Sequence, residues 1–303
     1  MVKGFLRRVV LGVAAFLVAG PLAAQSAAVP PVVSVEWLAA ELSRPELVVL
    51  QIGSDSSFRA AHVPAAQRLD FDGVVLAPAV DGGLRMELPE PARLEAGLRA
   101  LGVREDSRVV VVFDTPPAFT RAGRTFFTLE WAGLRGRVAV LDGGLPAWRA
   151  ANKQISRGTA LKVAAGDVRV RPNAAQVATR EAVAASAAGR GRRLVDARAP
   201  EFYQNTRDNG MPRGGHIASA VNLPFNVATT PTGTFKPRAE LEQLVVAAGI
   251  GADDEITTYC HIGLQASWMY LTLRHLGRDV TMYDGSFDEW SRDASLPLGQ
   301  RAP

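Results

Sequence analysis

The chain has 303 residues, 48% of them hydrophobic and 21% charged, with a single cysteine. Those proportions exclude a coiled coil, a collagen-like repeat and a disordered tail, and the length allows two domains, each with its own core. The formal charge of +4 does not mark a polyanion-binding protein, because much of it sits in the first segment.

That segment reads MVKGFLRR, then VVLGVAAFLVAG, then PLAAQSAA. A basic head, a short apolar run and small residues are the layout of a secretory signal peptide. The uninterrupted apolar run, 9–19, is shorter than the roughly 20 residues a spanning helix needs. Residues 1–28 are therefore expected to be a leader, cleaved after Ala24 or Ala28, that sends the protein to the periplasm or outside the cell. Without Lys3, Arg7 and Arg8 the charge falls from +4 to +1, and the remaining Lys and Arg are scattered. Neither a nucleic-acid partner nor a membrane partner is expected of the mature form. In an oxidising compartment a lone cysteine has no disulfide partner within the chain.

From residue 32 the chain contains one unit twice. The first copy runs VVLQIG (48–53), AHVPAA (61–66), PARLEAGLRALG (91–102), RVVVVFD (108–114), TRAGRTFFTLEWAG (120–133) and VAVLDGGLPAW (138–148). The second runs RLVDAR (193–198), GHIASA (215–220), RAELEQLVVAAG (238–249), EITTYC (255–260), a helical stretch over 264–276, and VTMYDGSFDEW (280–290). Short Val/Ile-rich runs alternating with helical periods predict an α/β unit with a mainly parallel sheet. Two domains follow, 32–150 and 172–297, joined by an aperiodic linker over 151–171. His62 and His216 recur at one place in both copies, as do Trp148 and Trp290; structural roles are expected for all four.

Cys260 ends the strand EITTYC and precedes the helix that opens at Leu264. In a parallel α/β sheet, ligands bind beyond the carboxyl ends of strands. A helix N-terminus there offers free backbone N–H groups and the positive end of a dipole, both of which lower a thiol's pKa and favour a bound anion. Gly263 lets the loop curl. The matching strand of the first copy ends in Asp114, followed by TPPAF, which is proline-stiffened and lacks the glycine. One copy is equipped for sulfur chemistry, and the other is expected to be catalytically inactive.

LVDAR followed by EFY, GHIASAVNLPF, Cys260 at its strand end and YDGSFDEW together resemble the tandem-domain rhodaneses, the mature chain expected after export being similar to thiosulfate and 3-mercaptopyruvate sulfurtransferases nearly end to end. The resemblance implies two rhodanese-like domains, each a five-stranded sheet flanked by helices, with the active cysteine in the second. It implies a ping-pong reaction in which Cys260 takes a sulfane sulfur from a small anionic donor, such as thiosulfate or 3-mercaptopyruvate, and passes it to cyanide or a thiol. The loop His261, Ile262, Gly263, Leu264, Gln265 and Ala266 would hold the persulfide on its backbone amides, with no metal or organic cofactor. A non-catalytic module that relays persulfide sulfur to a partner protein is the alternative.

The loop carries neither the Lys or Arg of thiosulfate-type members nor the Gly-rich series of mercaptopyruvate-type members, and Phe202 stands where larger members place a substrate-gripping arginine. The donor's counter-charge is then expected from Arg207, Arg213, Arg198 or a protonated His261. Arg198 has a second reading, a fold-holding ion pair with Asp196 or Glu201, and His261 a second one as a surface or capping residue. A phosphatase loop would need an arginine where Ala266 stands, and with four histidines a triad hydrolase lacks an evident base.

Overall fold

The computed structural model describes Met1, residues 28–208 and residues 210–299. The leader expected over 1–28 lies, apart from its two end residues, outside the described residues. Among the described residues no helix is long and apolar enough to cross a membrane.

The first domain runs β1 (Val32–Val33), α1 (Val35–Glu41), β2 (Leu47–Ile52), α2 (Asp55–Ala60), β3 (Gln67–Leu69), α3 (Pro91–Ala100), β4 (Arg108–Phe113), α4 (Phe119–Leu129), β5 (Val138–Leu141) and α5 (Gly144–Ala150). Its sheet has the order β1-β5-β4-β2-β3, with every pair parallel. The central strand β4 is buried from Val109 to Phe113, which is why it reads as an unbroken apolar run and not as an alternation. Ser34 and Ser54 cap α1 and α2, each accepting the N–H three residues on, as N-terminal caps do.

The second domain runs α6 (Arg180–Ala187), β6 (Arg193–Asp196), α7 (Pro200–Tyr203), β7 (His216–Ile217), β8 (Val221–Asn222), α8 (Arg238–Ala247), β9 (Ile256–Tyr259), α9 (Leu264–His275), β10 (Val280–Met282), α10 (Ser286–Arg292) and β11 (Leu298–Gly299). Its parallel sheet has four strands, β10-β9-β6-β8, and not the expected five; β7 and β11 form a separate antiparallel ribbon. The place that β1 fills beside β5 is reduced here to one parallel bridge, Val177 with Met282. The chain has no length to spare there: a tight helical turn ends at Gln176, and Thr179 already caps α6 through the Ala182 N–H.

The linker 151–171 forms no helix and no named strand, only an isolated antiparallel bridge from Ser156 to His62. It is strapped to the first domain, where Gly166 N–H donates to Arg99 O at 2.8 Å and Arg171 N–H to Ala132 O at 2.9 Å. The two domains meet along α4 and α9. A Cβ on Gly123 of α4 would stand 2.8 Å from the Trp268 Cα, so the helices cross at a distance only glycine allows. Phe127 meets Tyr270 edge-on at 5.1 Å, and the Tyr270 hydroxyl donates to buried Glu130, which Arg274 also pairs. One apolar cluster runs through both domains, from Leu50 and Val111 to Trp268 and Met282.

The repeated histidines and tryptophans have the structural roles expected of them. His62 Nδ1 lies 2.9 Å from Phe58 O, and His216 Nδ1 lies 2.8 Å from Tyr203 O, each imidazole stacked on the ring of that same residue. Trp148 and Trp290 are both buried and donate their indole N–H to backbone carbonyls a few residues on, Gln154 and Pro297.

Candidate active site

Strand β9 delivers Cys260 to the carboxyl edge of the second sheet, and the chain turns through His261–Gly263 into α9. Gly263 has φ +81° and ψ −13°, a left-handed conformation that a side chain disfavours. A Cβ there would also sit 2.9 Å from Arg124 Nη1 and 3.2 Å from Asp284 O. Glycine is therefore required twice, by conformation and by space.

The turn is fixed from behind by the YDGSFDEW segment. Ser286 Oγ accepts the Cys260 N–H at 3.3 Å, and the N–H groups of Phe287 and Asp288 donate to Cys260 O and His261 O at 3.0 and 2.9 Å. Asp284 accepts from Arg124 and, at 2.9 Å, from the Leu88 N–H, both of the first domain. Asp142, the same position in the first copy, accepts the Phe235 N–H of the second domain at 2.8 Å. Each Asp-Gly tag thus holds a loop of the other domain.

Cys260 is buried. Burial pushes its thiol above the ordinary range, against the opposing pull of the Ala266, Ile262 and Gln265 backbone N–H groups. The amide cradle expected from the sequence is therefore present, but the net shift is upward and not downward, because dehydration of the sulfur outweighs three neutral dipoles. The thiol lies at the floor of a cavity of about 380 Å³ whose walls include His261, Ile262, Leu264 and Gln265. Gly263 and Ala266 shape the turn from beneath.

The cations divide. Arg207 reaches the cavity wall, lies over the Phe202 ring at 5.1 Å, and is 3.6 Å from Glu201. Arg198 does not reach it: fully buried, it grips Asp196 through Nε and Nη2 at 2.6–3.1 Å and donates to Gly215 O, with the Phe287 ring 4.2 Å away. Its fold-holding reading is the one the geometry carries. Arg213 is spent on the carbonyls of Trp290, Ser291 and Leu296. His261 meets Phe202 edge-on at 4.8 Å. Burial, and then the Arg198 guanidinium, push its imidazole down to about 4, so it is neutral near pH 7 and supplies no cation.

Sequence reasoning missed Arg85. This first-domain residue lines the cavity, with Nε 3.1 Å from Asp288 Oδ2 and Nη2 3.6 Å from Met211 Sδ. Nothing in the repeat marks it, since it stands in an aperiodic loop far from Cys260 in sequence. The Asp-Gly tags were the available signal, because the loop is held by Asp284. Beside Arg85, Glu87 keeps one buried carboxylate oxygen without a hydrogen-bond partner. Its carboxyl is pushed up to about 8 by burial and by Asp284, Glu289 and Asp288, with Arg124 pulling the other way. In the first copy Asp114 replaces the thiol and accepts from Ser57 Oγ at 2.6 Å, and Pro116–Ala118 forms a tight helical turn in place of the cradle.

The model of the rhodanese-like domain matches the chain twice, over residues 34–151 and 179–293. The chain is 34% identical over 274 residues to a probable 3-mercaptopyruvate sulfurtransferase of Pseudomonas aeruginosa, covering 87% of this chain and 95% of that one. It is 32% identical over 248 residues to a putative thiosulfate sulfurtransferase, SseB, of Mycobacterium tuberculosis, covering 81% and 85%. In fold it is similar to the 3-mercaptopyruvate sulfurtransferase SseA of Escherichia coli, with a TM-score of 0.74 at 23% identity over 85% of this chain and 99% of that one. A doubled parallel α/β unit and these relatives agree: the chain belongs to the rhodanese-like family, and it is a sulfurtransferase.

Proposed function

We propose that the protein carries sulfane sulfur from thiosulfate, or a related small anion such as 3-mercaptopyruvate, through a persulfide on Cys260 to cyanide or a thiol acceptor. The observation that supports this reading is the position of the one thiol, at the floor of a cavity with three backbone N–H groups turned toward it and two arginines in the wall. A dianion entering this cavity gains the attraction of Arg85 and Arg207, and the amides remain to hold the outer sulfur after the donor leaves. In the first step the thiolate attacks the sulfane sulfur of the donor, and the S–S bond of thiosulfate breaks to release sulfite. In the second the acceptor takes that sulfur and the thiolate is restored.

The test is intact mass of the protein after incubation with thiosulfate or mercaptopyruvate. One added sulfur, lost on addition of cyanide with formation of thiocyanate, is expected, and Cys260→Ser takes up none. Sulfur transfer by that variant would overturn the assignment. An exported protein, released from a leader within residues 1–28, is part of the same proposal and rests on the basic, apolar and small-residue order of that segment. A mature N-terminus beginning at Gln25 or Val29, read by sequencing the secreted or periplasmic form, is expected; an intact Met1 on the mature protein would overturn it.

A further inference from the structure

The loop that brings Arg85 to Cys260 also walls a second cavity. This space, about 480 Å³, is bounded by Leu76, Pro78, Val80, Leu84 and Met86, and it shares Arg85 and Ile262 with the cavity over the thiol. The two spaces therefore adjoin, one flanked by arginines and the other largely apolar.

The loop holding this second space is built and pinned. Ala77 N–H donates to Glu87 O at 2.9 Å, Leu88 N–H to Asp284 Oδ2 at 2.9 Å, and Arg292 reaches the carbonyls of Gly82 and Gly83 at 2.6 and 2.9 Å. Met86 takes a positive φ of 59°, a costly conformation for a non-glycine residue that its surroundings must enforce. A cavity of this size, preformed and mostly apolar, with Asp72, Arg85 and Glu87 as the charged groups in its wall, has the character of a small-molecule site.

Resting on the sulfurtransferase reading above, we infer that this second cavity is the acceptor subsite, and that the acceptor it takes is a small thiol with an apolar body. The donor is an anion and belongs between the arginines. The acceptor's thiolate has to reach the outer sulfur of the Cys260 persulfide, and a hydrocarbon body attached to it is better solvated by Leu84 and Val80 than by Arg85 and Arg207. In the step, the acceptor thiolate forms a new S–S bond to the outer sulfur while the bond from that sulfur to Cys260 Sγ breaks. The acceptor leaves as a persulfide, Cys260 is restored as thiolate, and no outside oxidant or reductant is consumed.

The test loads the purified protein with sulfur from thiosulfate. It then follows discharge by mercaptoethanol, mercaptobutanol and mercaptohexanol, each normalised to discharge by cyanide. Full burial makes each methylene worth about fourfold. A rise of roughly tenfold or more across the series is therefore expected for a partly buried chain. Val80→Asp and Ala79→Trp alter the rim at two exposed positions, where folding is not at stake. Each is expected to flatten the chain-length dependence to within about threefold, by charge in one case and by filling in the other. A flat series on wild-type protein that cyanide discharges overturns the subsite alone, as does an undiminished slope in both variants. Failure of cyanide to remove the sulfur overturns the sulfur-transfer proposal, and the subsite with it.

Discussion

Two titrating groups beside the sulfur decide how the site responds to pH. Cys260 is raised by burial, and only the thiolate attacks. The donor step is therefore expected to quicken steadily as pH rises through and past a thiol's ordinary range, roughly 8.5, in stopped-flow measurements of sulfur loading. His261, lowered to about 4, is uncharged across that range. The rise of kcat/KM toward low pH that a protonated His261 would give is not expected, and His261→Ala leaves the shape of the profile between roughly pH 6 and 8 unchanged. Its effect on stability has a definite sign. The unfolded imidazole binds a proton below roughly 6.5, the folded one only near 4, so stability is lost as pH falls through that window. The counter-charge proposed for the donor lies with Arg207 and with Arg85, the latter half exposed and across the domain boundary. Arg85→Ala is expected to raise KM for thiosulfate roughly threefold to tenfold with a smaller change in kcat, the range reflecting solvent screening of an exposed charge. Equal losses in kcat and kcat/KM would instead mark Arg85 as acting only in the transition state.

At the scale of elements, the strand-to-helix turn at Cys260 was legible in the sequence because its causes are local: an apolar run, one thiol, a glycine, a helical period. Gly263→Ala should confirm how tightly that turn is specified. Its positive φ and the 2.9 Å approach to Arg124 make a loss of roughly 1–3 kcal/mol expected, read by chemical denaturation, together with slower sulfur loading. That the second sheet would lack a fifth strand was not legible. Val32–Val33 forms a two-residue strand before Ser34, whereas Val177 forms only a lone bridge before Thr179, where a tight turn ending at Gln176 leaves little chain before the cap. The raised carboxyl of Glu87 was also invisible, because its neighbours Asp284, Asp288 and Glu289 come from the other domain. Folded Glu87 keeps its proton up to about 8, whereas an unfolded glutamate loses it near 4.3. Stability therefore falls as pH rises through that interval. Glu87→Gln is expected to raise Tm at pH 9 more than at pH 6; an equal shift at both would show that ionisation of this carboxyl is not what the interface resists.

The whole molecule is held by an exchange. Asp284 of the second domain holds Leu88 of the first, Asp142 of the first holds Phe235 of the second, and α4 crosses α9 at glycine distance. Residues 172–303 expressed alone are therefore expected to be poorly soluble or much weakened in sulfur transfer, with Trp268 and Tyr270 uncovered and Phe127 and Arg85 missing. Addition of residues 29–171 should restore part of the activity in proportion to its concentration; full activity of the isolated half would refute this view. Order and spacing of the two copies revealed the duplication, but not that each half finishes the other, since that needs the copies placed face to face. The paired aspartates are what two identical subunits would present to each other across a twofold axis. Joining them in one chain replaces an encounter in solution with a permanent neighbour. On the sulfur transfer proposed above, it also divides the labour of change: the half without a thiol can alter its loop, and with it which molecules are admitted, while the half that makes and breaks the sulfur bond stays as it is.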